Sequence, residues 1–288
     1  MTSLTTSPRP MRRAGGGLQR KPWWKTALGV VFTVLMLFPV YWMVNVSLTR
    51  TSDLRADPPH WFPWDPTFEG YTAVFGQQLP ALGTSLLVGL GCVVLTVAIA
   101  APAGYALALL NLRGGRTLNF LLLVAQMIPA VVMAMGFYAV YNSLGLLNTV
   151  GGLIVADSTV AVPFGVLLYT AFMSGIPREL LQAARVDGAG PWRTFRSIVL
   201  PVSRNSTLTV ALFAFLWAWS DFIFASTLNR NGELIPITLG IYNYIGNNTT
   251  QWNAIMATAV VASVPATILL VVAQRYVAAG VTAGAVKD

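Results

Sequence analysis

Apolar and polar positions follow one another along the chain in long blocks rather than turn by turn. The apolar runs are Ala27 to Ser47, Ser85 to Leu110, Leu118 to Tyr141, Gly152 to Met173, Ser206 to Thr227 and Ala254 to Ala273. Each holds about 20 residues, the length at which a helix rising 1.5 Å per residue crosses a hydrocarbon core of about 30 Å. The pattern predicts an all-α, polytopic membrane protein with six transmembrane helices. Residues 1–26 form a disordered basic tail, 27–47 the first transmembrane helix and 48–84 a polar loop. Residues 85–277 form a core of five helices, interrupted by the polar segment 174–204, and residues 278–288 form a second tail. Within the spans, Pro129 breaks the third, Asp157 and Pro163 lie in the fourth, and Asp221 sits near the far end of the fifth. Pro58, Pro59, Pro63, Pro66 and Pro80 exclude a helix from 48–84, and Trp61 and Trp64 suit a membrane–water interface.

Composition agrees. The chain is 55% hydrophobic and 10% charged, with a mean hydropathy of +0.64, where a soluble domain carries roughly a quarter charged residues. The net charge of +8 does not describe a nucleic-acid face, because the basic residues cluster at the ends of apolar runs and no interleaved basic and aromatic stripe occurs. The clusters orient the chain. With the amino terminus inside, the inner segments hold 15 of the 18 Lys and Arg, and the outer loops hold Arg50, Arg55 and Arg230. That bias places both termini in the cytoplasm. The first run has the basic flank of a signal peptide, but it is too long and no small-residue cleavage site follows, so it reads as an uncleaved span.

Catalytic chemistry is missing. One cysteine, Cys92, and one histidine, His60, supply neither a disulfide within the chain nor a thiolate or imidazole metal site. No phosphate-binding G-x-x-x-x-G-K-[ST], no G-x-S-x-G and no H-E-x-x-H occurs. The chain is expected to be no enzyme and to bind no cofactor. An intramembrane hydrolase would lack a base, and an ion-coupled carrier would need an internal repeat and midplane ionisable sites, neither of which is evident. Asn45, Asp157, Trp219 and Asp221 are the candidates for the pore by polarity and position.

The segment 174–204 holds five arginines against two acids, Glu179 and Asp187. Pro177 suits the first turn of a helix. The residues after it are good helix formers, with Leu180, Leu181 and Ala184 on one face. Asp187-Gly188 ends that helix. Gly190-Pro191 starts a second, with Trp192, Phe195 and Val199 about one turn apart, and Pro201 bounds it. Two short helices about a glycine turn make a rigid lateral knob whose alanines can enter a groove. By helix physics alone the knob suits a protein groove and an anionic lipid surface equally.

The spacing of Ala183-Ala184, Gly188 and Ile198-Val199-Leu200-Pro201 resembles the cytoplasmic signature of ATP-binding-cassette importer permeases, Glu-Ala-Ala, three residues, Gly, nine residues, Ile, one residue, Leu-Pro. Gln182 stands where the signature has Glu. Tyr105-Ala106-Leu107-Ala108, Gly145-Leu146-Leu147-Asn148-Thr149, Ile176-Pro177-Arg178-Glu179-Leu180, Trp219-Ser220-Asp221-Phe222 and the ending Gly280 to Lys287 resemble the carbohydrate branch, specifically the maltose-type second permease subunit. The resemblance implies a type I importer permease fold in a bacterial cell membrane. It implies a subunit that translocates a sugar, or a related solute such as a polyol or glycerol phosphate. The implied partners are a second homologous permease, two ATPase subunits that carry the ATP and Mg, and an extracytoplasmic solute-binding protein. It also implies that 174–204 is the coupling helix, with Glu179, Gln182, Ala183, Ala184, Asp187, Gly188, Ile198, Leu200 and Pro201 toward the ATPase. Gly284, Ala285, Val286 and Lys287 are a second implied ATPase contact.

Overall fold

The computed structural model describes residues 23–110, 112–232, 234–247 and 251–285. The expected tail at its residues 1–22 lies outside the described residues, as do Val286 and Lys287. The chain divides into two units, residues 1–42 and 43–288. In the first, helix α1 (Trp23–Ser47) runs out to Trp42 with exposed apolar side chains, among them Leu28, Phe32, Leu35 and Val40. In the second, α1 ends at the buried Asn45 and Ser47.

The regular secondary structure among the described residues of the second unit is helical. It comprises α2 (Glu69–Gln77), α3 (Leu79–Leu109), α4 (Gly115–Ala125), α5 (Ala130–Leu144), α6 (Val150–Met173), α7 (Arg178–Val186), α8 (Pro191–Thr194), α9 (Leu200–Val202), α10 (Arg204–Ser220), α11 (Ile223–Leu228), α12 (Ile237–Asn247) and α13 (Trp252–Ala285). Four helices are long and apolar enough to cross a membrane: Trp23–Ser47, Leu79–Leu109, Val150–Met173 and Trp252–Gln274. Counting each of two bent pairs as one span gives six.

The breaks have local causes. Pro129, extended at ψ 134°, caps α5, and α4 and α5 meet at 94°. Asp221, extended at ψ 132°, ends α10 seven residues before the expected limit, and α11 follows as a separate turn. The other bend, 78°, lies between Pro191–Val202 and α10. Three expectations are corrected. The region 48–84 does contain a helix, α2, because its prolines leave residues 67–79 free. Pro80 lies in the first turn of α3, where its missing N–H is not needed, so α3 begins six residues before Ser85. At the other end, α13 continues through Arg275 to Ala285 instead of giving way to a tail at 278.

The body is built on α3 and α6, with α10 against both. Small residues let the backbones approach. A Cβ on Gly104 of α3 would lie 2.4 Å from the Tyr169 Cβ of α6, and one on Gly165 of α6 would lie 3.0 Å from the Ala100 Cβ of α3. Gly89 takes the edge of the Phe215 ring in the same way, at 2.9 Å. Close approach at small residues is the way apolar helices associate where surrounding lipid tails are as apolar as leucine. Outward faces keep large apolar side chains, such as Leu87 and Val94 on α3 and Ile268 and Val271 on α13, as a lipid-facing surface requires.

Candidate functional site

In the segment 174–204, Pro177 is extended and α7 starts behind it at Arg178. Its carboxyl end is closed by a pair of crossed hydrogen bonds. The Ala189 N–H donates to the Ala184 carbonyl at 2.9 Å, and the Gly188 N–H to the Arg185 carbonyl at 3.0 Å. This is the Schellman closure, which needs a left-handed residue at its centre, and Gly188 supplies φ +75°. Nothing lies within 4 Å of where a Gly188 side chain would begin. The glycine is therefore required by the backbone and not by crowding.

The chain then restarts at Pro191 and widens. The Leu200 N–H donates to the Phe195 carbonyl, five residues back, across the π-helical turn Phe195–Val199. Widening relieves the crowding that a proline imposes on the carbonyl four residues before it. Pro201 sits in the last turn of this helix, which ends at Val202 before the 78° bend into α10.

The knob is seated on the spans. Met173, Ile176, Phe195 and Val199 are buried in one cluster with Ala100, Ala101 and Tyr105 of α3, Val166 and Tyr169 of α6, and Val210 of α10. The Tyr105 ring lies 5.3 Å from that of Phe195, and its hydroxyl donates to the Pro191 carbonyl at 3.1 Å. Ile198 and Leu200 are half-buried on this side, and Leu200 packs against the same cluster.

Burial separates the expected coupling residues into two groups. Glu179, Gln182, Ala183, Asp187, Gly188 and Pro201 are exposed. Ala184 is 4% exposed, so the expectation of an alanine offered to a groove is corrected at this position. Ala184 and the half-buried Leu181 form the inner face of α7, and Ala183 lies on the outer one. Among the described residues, none of the segment's arginines makes an ion pair, the pair found being Arg50 with Asp65 at 2.8 Å. Two residues of the segment and its seat were not singled out from the sequence as site residues. Val186 is 88% exposed at the carboxyl end of α7. Tyr105 is the tie between α3 and the knob; its motif was visible, its partner was not.

The pore candidates do not form one site. Trp219 is buried, stacks on Phe215 at 5.4 Å and donates to the Ala262 carbonyl of α13 at 3.1 Å. Asp221 caps α11, its Oδ1 accepting from the N–H groups of Ile223 and Phe224 at 3.1 and 3.2 Å and its Oδ2 from that of Ala225 at 2.9 Å. Asn45 donates to the His60 carbonyl at 2.9 Å. Asp157 is 1% exposed, with one carboxylate oxygen unpartnered. Three of the four are thus held by internal partners. No cluster of His, Cys, Asp and Glu that could hold a metal occurs among the described residues. Gly284 and Ala285 lie at the helical end of α13.

Long apolar helices packed through glycines, with a short knob seated at one end, make a membrane-spanning helical body. The fold is shared with a bacterial ABC transporter involved in the import of the acidic polysaccharide alginate, at a TM-score of 0.77 and 21% identity, covering 88% of this chain and 95% of that one. Residues 97–283 match the family of binding-protein-dependent transport system inner membrane components, and the chain belongs to that family. The chain is also similar over nearly its whole length to two permeases. It is 31% identical over 266 residues to the diacetylchitobiose uptake system permease protein DasC of Streptomyces coelicolor, covering 92% of this chain and 96% of that one. It is 31% identical over 275 residues to the trehalose transport system permease protein SugB of Mycobacterium tuberculosis, covering 94% and 99%.

Proposed function

We propose that the chain is one membrane-spanning subunit of an ATP-driven importer for a sugar, and that α7 with the turn after it receives the force of ATP hydrolysis from a separate ATPase. The observation that carries the reading is the two-faced knob. Its inner face is fused to α3, α6 and α10 through Ile176, Phe195 and Val199, while Gln182, Ala183 and Val186 stay exposed. A partner that grips the outer face moves the inner face with it, and the spans follow. An exposed valine and alanine on a short helix that also carries the exposed Arg178 and Arg185 suit a protein groove with an apolar floor; a lipid surface would bring the aromatic and apolar side chains down on one face instead. The relatives that transport diacetylchitobiose and trehalose support a sugar as the solute.

The remaining partners are a second permease, completing the pore, and an extracytoplasmic binding protein that delivers the sugar. ATP and Mg belong to the ATPase subunits. The excess of Lys and Arg in alternate loops supports both termini and the knob on the cytoplasmic side. The test is Val186→Asp in the assembled transporter. Normal membrane abundance with uptake reduced at least about tenfold, equivalent to losing ~1.4 kcal/mol at the contact, is expected. Uptake at the wild-type rate would contradict the docking role.

A further inference from the structure

At the end of α3 remote from the knob lies a cavity of about 350 Å³, within the size range of small-molecule sites. Thr84, on its wall, and Tyr105, which holds the knob, are 21 residues apart on one helix. That is roughly 32 Å of rise, about the thickness of a bilayer core. The cavity and the knob therefore face opposite sides of the membrane. We propose that this cavity is a binding station for a neutral, polyhydroxylated ligand, a sugar unit on its way into the pore; the identification of the ligand rests on the sugar-importer reading above.

The lining carries the inference. Gln77, Gln78, Thr84, Asn243 and Tyr244 contribute to the wall, and none of the lining residues is charged among the described residues. A side-chain amide both donates and accepts, as each sugar hydroxyl does, so a run of vicinal hydroxyls can be matched without a counterion. Gln78 is the informative member. Its residue is 8% exposed and its backbone N–H is used, donating to the Val74 carbonyl at 2.8 Å. Among the described residues its side-chain amide makes no hydrogen bond. The amide is not sealed from solvent; it opens onto the cavity with its donors and acceptor free for a ligand that replaces water.

The neighbouring backbone leaves that amide its place. A Cβ on Gly240 would lie 2.6 Å from the Gln78 Oε1 and 3.3 Å from the Ala81 Cβ, so any side chain at 240 would push the amide aside. The wall opposite is fixed. The Ile237 N–H, at the start of α12, donates to the Ser85 hydroxyl of α3 at 2.8 Å, and Ile237 is 1% exposed. The Tyr244 hydroxyl is already committed, lying 2.8 Å from the Gln251 Oε1, which leaves its ring as an apolar wall. A preformed, amide-bearing cavity with no charged side chain among its described lining residues results.

Two variants and one labelling site test the proposal in the assembled transporter, with trehalose and diacetylchitobiose as probes. Gln78→Leu removes the amide at similar size, and Gly240→Ala displaces it. Asn243→Cys places a thiol at the rim, against a quiet background because Cys92 is fully buried. The expected results are a KM for uptake raised about tenfold in Gln78→Leu and in Gly240→Ala, each at normal abundance, and slower maleimide labelling of Asn243→Cys when the transported sugar is present. Wild-type KM in both variants, or labelling that neither sugar slows, would overturn the proposal. Should the wild-type complex take up neither disaccharide, the sugar-importer reading falls. The labelling arm then still decides this one: protection supports the cavity and its absence overturns it.

Discussion

The Tyr105 hydroxyl, at the last turn but one of α3, donates to the carbonyl of Pro191, the first residue of α8, at 3.1 Å. One hydrogen bond and one ring contact thus join a transmembrane helix to the turn that follows α7. Tyr105→Phe keeps the ring against Phe195 and removes the bond. The Pro191 carbonyl keeps its intrahelical partner, the Phe195 N–H, so the loss is about 1 kcal/mol and not that of an orphaned group. Uptake is expected to fall by roughly fivefold at unchanged abundance, while the ATPase subunit still co-purifies. Tyr105→Ala, which also removes the ring, is expected to lower both. Uptake and pull-down measured on the same membranes distinguish the two.

Gly188 is required by its φ of +75° and by nothing around it. Asparagine tolerates the left-handed region, whereas a β-branched residue does not. Gly188→Asn is expected to transport at close to the wild-type rate. Gly188→Val, strained by more than the 1–2 kcal/mol typical of a left-handed residue with a Cβ, is expected to lose most uptake. Equal loss in both variants would mean that the turn tolerates no side chain, which the open space around it argues against.

Ala183 and Ala184 are adjacent but face opposite ways. Ala184→Asp puts a charge into a buried site and is expected to reduce the amount of folded protein in the membrane. Ala183→Asp, on the exposed face, is expected to leave abundance unchanged and to weaken co-purification with the ATPase. Quantitative immunoblotting followed by pull-down separates the effects.

This pair also marks what the sequence could and could not show. The pattern of residues 178–187 was enough to predict a helix ended by glycine. Which alanine turned inward depended on where α3 lay, and nothing within the segment states that. The six apolar runs were legible because a bilayer demands long uninterrupted apolar stretches. Pro129 located a break but not its 94° angle, which is set by packing on both sides. Each proline in 48–84 disfavours helix only at its own position and the one before, and α2 fits between Pro66 and Pro80. The cavity joins Gln78 to Asn243, and its bracing bond links residues 152 apart in sequence. No local pattern announces such a meeting.

Asp221 accepts three backbone N–H groups, which commits its carboxylate to the start of α11. Asp221→Asn retains an acceptor and is expected to preserve uptake. Asp221→Ala, which removes all three, costs about 0.5–2 kcal/mol by analogy with lost helix caps. It is expected to lower thermal stability and abundance while leaving the KM for sugar unchanged. A raised KM at normal abundance would instead place Asp221 at the solute.

The central claim, that the outer face of α7 is gripped by an ATPase on the opposite membrane side from the polar cavity, is tested most directly by cross-linking in native membranes. Ala183→Cys and Asn243→Cys are each introduced beside the buried Cys92 and treated with a short thiol-to-amine reagent. An adduct of the chain with the ATPase subunit from position 183, and none from position 243, is the predicted result. No ATPase adduct from 183, or one that forms equally from 243, would contradict the account.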